Sequence, residues 1–184
     1  VIITGAGPVG CVSALILAKA GIHVTLLEAE DDLPLDMRAS TFHPPTLDML
    51  EELGLVGEVI KQGLITPKFQ YRDRADGLIA EFDMSTIAEH TNHPYRVQAE
   101  QYKLTRIISG ILSDYPHVNQ KFSSRALSLE QDNNSVTVYY ETNGEKESIT
   151  ADYLISSDGS RSFARKALDI GFPGFTYPEL FMVV

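Results

Sequence analysis

Three glycines near the start of the chain have the spacing of a phosphate-binding turn. Gly5, Gly7 and Gly10 follow an apolar run and precede an apolar stretch of helical character. The first glycine allows the sharp turn, the second lets a pyrophosphate approach the backbone, and the third lets helix and strand pack closely. Pro8 suits the first helical turn, because its missing N–H has no partner there. The phosphates are expected at the helix N-terminus, where free N–H groups favour anions.

A carboxylate at the end of the next predicted strand completes a dinucleotide-binding pattern. Gly21 ends the first helix, and the branched residues 22–27 predict a buried strand. Glu28 follows at about the 20-residue spacing expected of an acid that binds the ribose hydroxyls. The alternative is a tight βαβ turn with a solvated glutamate. The complete pattern favours a dinucleotide site for FAD or NAD.

Composition and charge restrict the class of protein. The 184 residues are 43% hydrophobic and 22% charged, which suits one domain with a sizeable core, or a domain with a small appendage. The net charge of −10 argues against nucleic acid or an anionic membrane as the main partner. The single cysteine, Cys11, fits a reducing compartment, so we expect a cytoplasmic location. Because Cys11 lies just inside the first predicted helix, we expect its side chain to be a small buried packing group. The sequence does not indicate the oligomeric state.

The predicted elements divide the chain into segments. A helix opened by Pro44 and a later helix near residues 100–115 belong to the nucleotide-binding fold, and short strand-like runs lie between them. The apolar spacing of the later helix predicts a buried face formed by Leu104, Ile107, Ile108, Ile111 and Leu112. A single run at 121–130 follows it. Tyr71, Phe82 and Tyr95 in those runs are expected to pack in a core rather than to approach a substrate. The segments are a first nucleotide-binding part at 1–65, a β-rich insertion at 66–98, a second nucleotide-binding part at 99–175, and the start of a truncated substrate domain at 176–184.

A second strand–turn–helix pattern occurs at residues 152–165. Asp158 lies with a glycine where the strand must turn sharply, and Ser162 is placed to cap the helix that follows. Arg165 is expected to tie that helix to the turn. Taken alone, the stretch is equally compatible with an ordinary βα turn.

Together these stretches resemble the class A FAD-dependent monooxygenases, the para-hydroxybenzoate-hydroxylase-like flavoprotein aromatic hydroxylases. The glycine turn with Glu28 is similar to the family's FAD-ADP motif. The stretch around Asp158 is similar to its Asp-Gly fingerprint, which is associated with FAD and NADPH. Arg38 and Gln101 match positions that contact FAD in the family, although Gln98 is an alternative to Gln101.

The motifs and the resemblance assign ten residues to cofactor binding. An arginine suits a pyrophosphate because its guanidinium binds two phosphate oxygens at once, although a surface ion pair with Asp36 or Glu30 is the alternative for Arg38. No residue is assigned to catalysis or to a metal. The assigned residues are Gly5, Gly7, Pro8, Val9, Gly10, Glu28, Ala29, Arg38, Gln101 and Asp158.

The resemblance implies an α/β fold: a Rossmann-like FAD-binding fold of the glutathione-reductase type, with inserted strands that begin a substrate domain. The chain ends within an apolar run at 181–184, so we expect the N-terminal portion of a longer chain, with the family's Gly-Asp motif beyond residue 184. The implied reaction is hydroxylation of a small aromatic, phenolic molecule by NAD(P)H and O2 through a flavin C4a-hydroperoxide.

The sequence is also compatible with several other functions. The same flavin fold is used by halogenases, isoprenoid-chain reductases and oxidases, and a fold does not fix the reaction. A module that binds FAD without turnover is a further alternative. An NAD-dependent dehydrogenase remains possible from the glycine motif alone, and the inserted strands and the second pattern argue against it.

Overall fold

The computed structural model describes residues 1–35 and 39–180, so the apolar run at 181–184 lies outside the described residues. The helices are α1 (Pro8–Lys19), α2 (Pro44–Glu52), α3 (Val56–Lys61), α4 (Gln101–Leu112) and α5 (Phe163–Ala167). The strands are β1 (Ile2–Thr4), β2 (Val24–Leu27), β3 (Thr41–Phe42), β4 (Leu64–Thr66), β5 (Lys68–Asp73), β6 (Gly77–Asp83), β7 (Arg96–Gln98), β8 (Val118–Lys121), β9 (Ser124–Gln131), β10 (Val136–Thr142), β11 (Glu145–Ala151) and β12 (Leu154–Ser156).

A four-stranded parallel sheet forms the centre of the fold, in the order β12-β1-β2-β8. Because successive side chains of a strand point to opposite faces, each central strand supplies two hydrophobic layers. Ile3 and Leu26 belong to the core on the helical side, whereas Ile2 and Leu27 belong to the core on the other side. Burial on both faces explains why β1 and β2 are continuous apolar runs.

Helices α1 and α4 cover one face of this sheet and pack against each other. The α4 side chains Leu104, Ile108 and Leu112 recur at helical spacing and are buried, as the sequence predicted. The antiparallel meander β9-β10-β11 covers the other face, where Val138 and Tyr140 meet the sheet. These three layers confirm the predicted α/β, Rossmann-like class of fold.

The chain between the first helix and α4 adds two small antiparallel units. Strand β7 lies between β3 and β4, and β5 pairs with β6 as a hairpin. The predicted boundary between residues 65 and 66 falls inside β4. The division into domains stays a prediction.

Two sequence interpretations were wrong in detail. A single run beginning at Lys121 was expected, but β8 ends there as a parallel strand and β9 begins separately. Tyr71 and Phe82 were expected in a core, but they are 61% and 46% exposed. Their apolar character does not reveal whether another element covers them. Tyr95 does pack against the main core. Within the described ranges, no helix has both the length and the hydropathy required to cross a bilayer.

Candidate cofactor-binding site

The glycine-rich turn begins where β1 ends. The N–H of Gly5 donates to the carbonyl of Leu27 at 2.8 Å, which holds the turn against the end of β2. Gly5 has a φ of +90°, and a Cβ there would lie 2.5 Å from the carbonyl oxygen of Ser157. Both the backbone conformation and the neighbouring chain therefore require glycine at this position.

The N-terminus of α1 is open on its outer side. Gly7 is the N-cap residue and no side chain caps the helix, so the N–H groups of the first turn have no side-chain acceptor. A Cβ at Gly7 would meet no atom within 4 Å, and Val9 is 67% exposed. Pro8 occupies the first helical position, as predicted. This arrangement suits an anion, since the free N–H groups and the helix dipole both favour negative charge.

Gly10 lies against the turn rather than facing solvent. A Cβ there would overlap the carbonyl oxygen of Gly5 and would lie 2.7 Å from Oγ of Ser157. The first turn of α1 therefore packs directly on the backbone of the glycine turn. This close approach positions the open N-terminus of the helix at the end of β1.

Glu28 follows β2 and faces the same turn. One carboxylate oxygen accepts the N–H of Ala6 at 2.7 Å, and the other accepts the N–H of Glu30 at 3.0 Å. These bonds fix the carboxylate beside the glycines, and each oxygen keeps a further lone pair for a ligand hydroxyl. Ala29 is half-buried next to it. The geometry suits a ribose whose hydroxyls donate to Glu28.

Cys11 lies beneath the turn and has no access to solvent. Its Sγ is 3.1 Å from the carbonyl oxygen of Ala6. Burial, with a smaller contribution from the charge of Glu28, raises the pKa of the thiol to about 12. The thiol is therefore a small packing group and not a nucleophile, as the sequence predicted.

The Asp158 turn is held by hydrogen bonds from the end of β12 and from the first residue of α5. Burial alone would raise the pKa of the Asp158 carboxyl, but hydrogen bonds from Ser156 and from the Phe163 N–H outweigh it and hold the pKa below its ordinary value. These bonds are 2.5 and 2.7 Å long. Asp158 is therefore an ionised acceptor that fixes the turn, which does not suit a general base at neutral pH.

Two expectations about the helix after this turn are confirmed. Oγ of Ser162 accepts the N–H of Arg165 at 3.0 Å, which is an N-cap interaction. The guanidinium of Arg165 donates to the carbonyl of Ser160 at 2.8 Å and thereby ties the helix to the turn.

Ser157 joins the two glycine-containing turns, and the sequence interpretation missed it. Its hydroxyl donates to the carbonyl of Thr4 at 2.7 Å, with the carbonyl of Gly5 at 3.1 Å as a second acceptor. Its N–H also donates to Thr4, because β12 pairs with β1. Only its position one residue before Asp158 could have indicated this role.

Gln101 and the glycine turn border the same cleft. The cleft has a volume of about 480 Å³ and is mostly apolar, and Pro8, Val9 and Gln101 are among its lining residues. The N–H of Gln101 donates to the carbonyl of Ala39 at 2.9 Å. Gln98 instead accepts a hydrogen bond from Thr41, a residue that also lines the cleft. Both glutamines thus lie near this cleft, and Arg38 lies outside the described residues.

A cluster of ionisable side chains away from this site was also missed. Nδ1 of the buried His93 lies 2.8 Å from a carboxylate oxygen of Asp48, which also accepts the hydroxyl of Thr91. Glu51 completes the group and accepts the side-chain N–H of Asn92. These hydrogen bonds join the loop at residues 91–93 to α2. The partners are more than 40 residues apart in the chain, so no local pattern could have revealed them.

The donor set of this site fits FAD. The uncapped turn of α1 offers N–H groups to phosphates, the space above Gly7 is open, and the Glu28 carboxylate is held where a ribose would lie. The elements that carry these groups are the first two strands of a parallel sheet, as expected of a dinucleotide-binding fold.

The chain belongs to the FAD binding domain family, whose model matches residues 1–184. It is similar to para-nitrophenol 4-monooxygenase from Pseudomonas sp. (strain WBC-3), with 34% identity over 179 residues, which covers 97% of this chain and 44% of that protein. It is also 34% identical over 183 residues to 6-hydroxy-3-succinoylpyridine 3-monooxygenase HspB from Pseudomonas putida (strain DSM 28022 / S16), covering 99% of this chain and 47% of that protein.

Solved structures of monooxygenases share this fold. The crystal structure of p-nitrophenol 4-monooxygenase PnpA from Pseudomonas putida DLL-E4 superposes with a TM-score of 0.93 at 32% identity, covering 96% of this chain and 45% of that chain. The flavin-dependent monooxygenase PieE, solved with FAD and substrate, shares the fold at 21% identity, with a TM-score of 0.85, covering 95% of this chain and 32% of that chain. The chain spans less than half the length of these relatives.

Proposed function

We propose that the protein is an FAD-dependent monooxygenase that hydroxylates a small aromatic, phenolic molecule with NAD(P)H and O2. The observation that carries the proposal is the uncapped N-terminus of α1 facing the Glu28 carboxylate, within a chain of the FAD binding domain family. The names of the similar monooxygenases, one of which is named for para-nitrophenol, support the choice of reaction and substrate class.

In this proposal the described residues bind and orient the cofactor. The N–H groups of the first turn of α1 hold the phosphates, and Glu28 accepts hydrogen bonds from the ribose. When bound, FAD supplies the redox chemistry that couples NAD(P)H to O2. Gln101 and Arg38 are proposed to contact the cofactor as well. Asp158 acts through the turn that it fixes and does not exchange a proton.

The proposal extends to the rest of the site and to its setting. The β-rich segment at 66–98 is proposed to begin a substrate domain, so that an aromatic ring would lie beside the cleft lined by Gln101. We also propose a cytoplasmic location, which the single reduced cysteine supports.

The first experiment is the absorption spectrum of the purified protein, before and after addition of NADPH under air. We expect flavin absorption bands, and NADPH oxidation that accelerates when a phenol is added. Flavin bands without NADPH oxidation would favour an oxidase, a halogenase or a binding module instead. If reconstitution yields no flavin, the cofactor assignment is wrong.

A pair of variants tests the site itself. Glu28→Ala should reduce the FAD content of the purified protein, because the ribose hydroxyls lose their acceptor. Glu30→Ala is the matched control, since it removes an exposed carboxylate two residues away that pairs with Arg125 at 3.3 Å. Equal FAD content in both variants would reject the role of Glu28.

A further inference from the structure

The β5–β6 hairpin carries three aromatic rings on one face. Phe69 and Phe82 are paired across the hairpin and stack with ring centres 4.8 Å apart. Tyr71 lies two residues along the strand, with its ring edge-on to both at about 6 Å. We call Phe69, Tyr71 and Phe82 the aromatic face. Tyr71 and Phe82 are exposed, so this face offers ring surface to a ligand.

A guanidinium without an anionic partner lies over the Phe69 ring of the aromatic face. The Arg96 guanidinium carbon is 4.0 Å from the centre of the Phe69 ring. Its Nε is buried and has no hydrogen-bond partner. Among the described residues, no carboxylate forms an ion pair with Arg96. A half-buried cation of this kind favours an anion beside it.

The opposite face of the same hairpin is different. Glu81 accepts hydrogen bonds from Lys68 at 3.0 Å and from Gln70 at 2.6 Å. Arg72 in turn donates to Gln70 at 2.7 Å. The polar side chains of that face satisfy one another, whereas Arg96 contacts the Phe69 ring and forms no ion pair with a described residue. The unpaired charge is therefore a local feature of the aromatic face.

The position of Arg96 connects the aromatic face with the proposed cofactor cleft. Arg96 and Gln98 are two residues apart on β7, so their side chains leave the same face of the strand, about 7 Å apart. Gln98 bonds Thr41, which lines the cleft together with Gln101. A ring held near Arg96 would thus lie beside that cleft.

We propose that Arg96 and the aromatic face bind the substrate as a phenolate, with the ring against Tyr71 and Phe82 and the negative oxygen at the Arg96 guanidinium. This inference rests on the proposed function for the substrate class. The ring face selects an aromatic ligand, and the unpaired guanidinium selects its ionised form. Arg96 is a binding residue in this proposal and takes no part in proton transfer.

The test compares a charged and an uncharged ligand of the same shape. The FAD-loaded protein is titrated with 4-nitrophenol and with 4-nitroanisole, and binding is followed by their absorption. Arg96→Gln should weaken 4-nitrophenolate binding about 10- to 100-fold and change 4-nitroanisole binding less than about threefold. In the wild type, 4-nitrophenol affinity should rise with pH as the phenol ionises, and Arg96→Gln should abolish that rise.

Two further variants separate charge from ring contact. Arg72→Gln removes a cation from the opposite face and should leave both affinities unchanged. Tyr71→Ser should weaken both ligands about 2- to 10-fold, because it removes an exposed ring. The FAD content of each variant reports whether the protein remains folded.

The possible outcomes distinguish this inference from the proposed function. Wild-type affinity for 4-nitrophenolate in Arg96→Gln, or an equal loss for both ligands, would overturn the role of Arg96. If the wild type binds FAD but neither ligand, the inference is also wrong. If the protein binds no FAD, the proposed function fails, while the same titrations of the FAD-free protein still decide the role of Arg96.

Discussion

Two alanine substitutions in the glycine turn should change the free energy of unfolding and the affinity for FAD independently of each other. Gly10→Ala places a Cβ against the carbonyl oxygen of Gly5, and that backbone atom cannot move without opening the turn. Gly7→Ala places a Cβ where no atom lies within 4 Å. We expect the first change to act mainly on the free energy of unfolding and the second mainly on FAD affinity.

The magnitudes follow from opposing contributions. At Gly10, alanine gains about 1 kcal/mol of helix propensity but loses up to about 3 kcal/mol to overpacking, so the free energy of unfolding should fall by about 2 kcal/mol. At Gly7, the weaker N-cap preference of alanine and the reduced entropy of the unfolded chain nearly cancel. The methyl group at Gly7 would still obstruct a phosphate, and losing one charge-assisted hydrogen bond costs about 1.5–3 kcal/mol.

The assays are thermal unfolding of the FAD-free protein and titration with FAD. Gly10→Ala should lower the melting temperature by about 4–8 °C. Gly7→Ala should leave it within about 2 °C of the wild type while raising the Kd for FAD about 10- to 100-fold. Normal FAD affinity in Gly7→Ala would refute the phosphate position. Normal stability in Gly10→Ala would show that the close packing of helix and turn is not limiting.

Three further predictions concern other side chains. Burial raises the pKa of Cys11 to about 12. The folded protein should therefore react with a thiol reagent at pH 8 far more slowly than the urea-unfolded protein. Equal reaction rates would exclude a buried thiol. Burial alone would raise the pKa of Asp158, but hydrogen bonds hold it below its ordinary value. The ionised carboxylate therefore stabilises the folded protein fully above about pH 4, and this stabilisation is lost as pH falls through the folded-state pKa. Asp158→Asn should therefore cost about 1 kcal/mol at pH 7 but less near pH 2 in urea unfolding, and equal costs would contradict a role for the charge. The hydrogen bond from His93 likewise lowers the pKa of Asp48, so Asp48→Asn should reduce the free energy of unfolding at pH 7 and change it little near pH 2. The control Asp31→Asn, at an exposed position, should leave it unchanged at both pH values. An unchanged free energy of unfolding in Asp48→Asn at pH 7 would show that the contact between Asp48 and the loop does not stabilise the fold.

The elements predicted correctly are those whose cause is local in sequence. The turn at Gly5 and the start of α1 at Pro8 follow from glycine and proline chemistry within ten residues. The buried face of α4 follows from its apolar spacing, and the cap at Ser162 follows from its place before a helix. In each case the residues that decide the structure are neighbours in the chain.

The features that were missed depend on contacts between distant segments. Tyr71 and Phe82 are apolar and strand-like, so their sequence favours burial, but in the fold both rings stay exposed beside Phe69, which Arg96 contacts. Strand β3 has two residues, which is too short for an alternating pattern, and it exists because β7 pairs with it. The hydrogen bond between Asp48 and His93 likewise requires α2 and a loop to meet.

Ser157 shows why the two sequence motifs act as one structural unit. Its hydroxyl donates to the carbonyl of Thr4 at the end of β1, and its Oγ lies 2.7 Å from the position that a Cβ on Gly10 would take. Ser157 therefore contacts both the glycine turn and the first turn of α1, whose N-terminus has no side-chain cap. If this N-terminus binds the phosphates of FAD as proposed, folding alone assembles the groups that the ligand contacts. A ligand that binds only this folded arrangement must stabilise it, by an amount that grows with ligand concentration over Kd. Since residues near both ends of the described chain contribute, FAD binding is expected to stabilise the parallel sheet and not only the local turn.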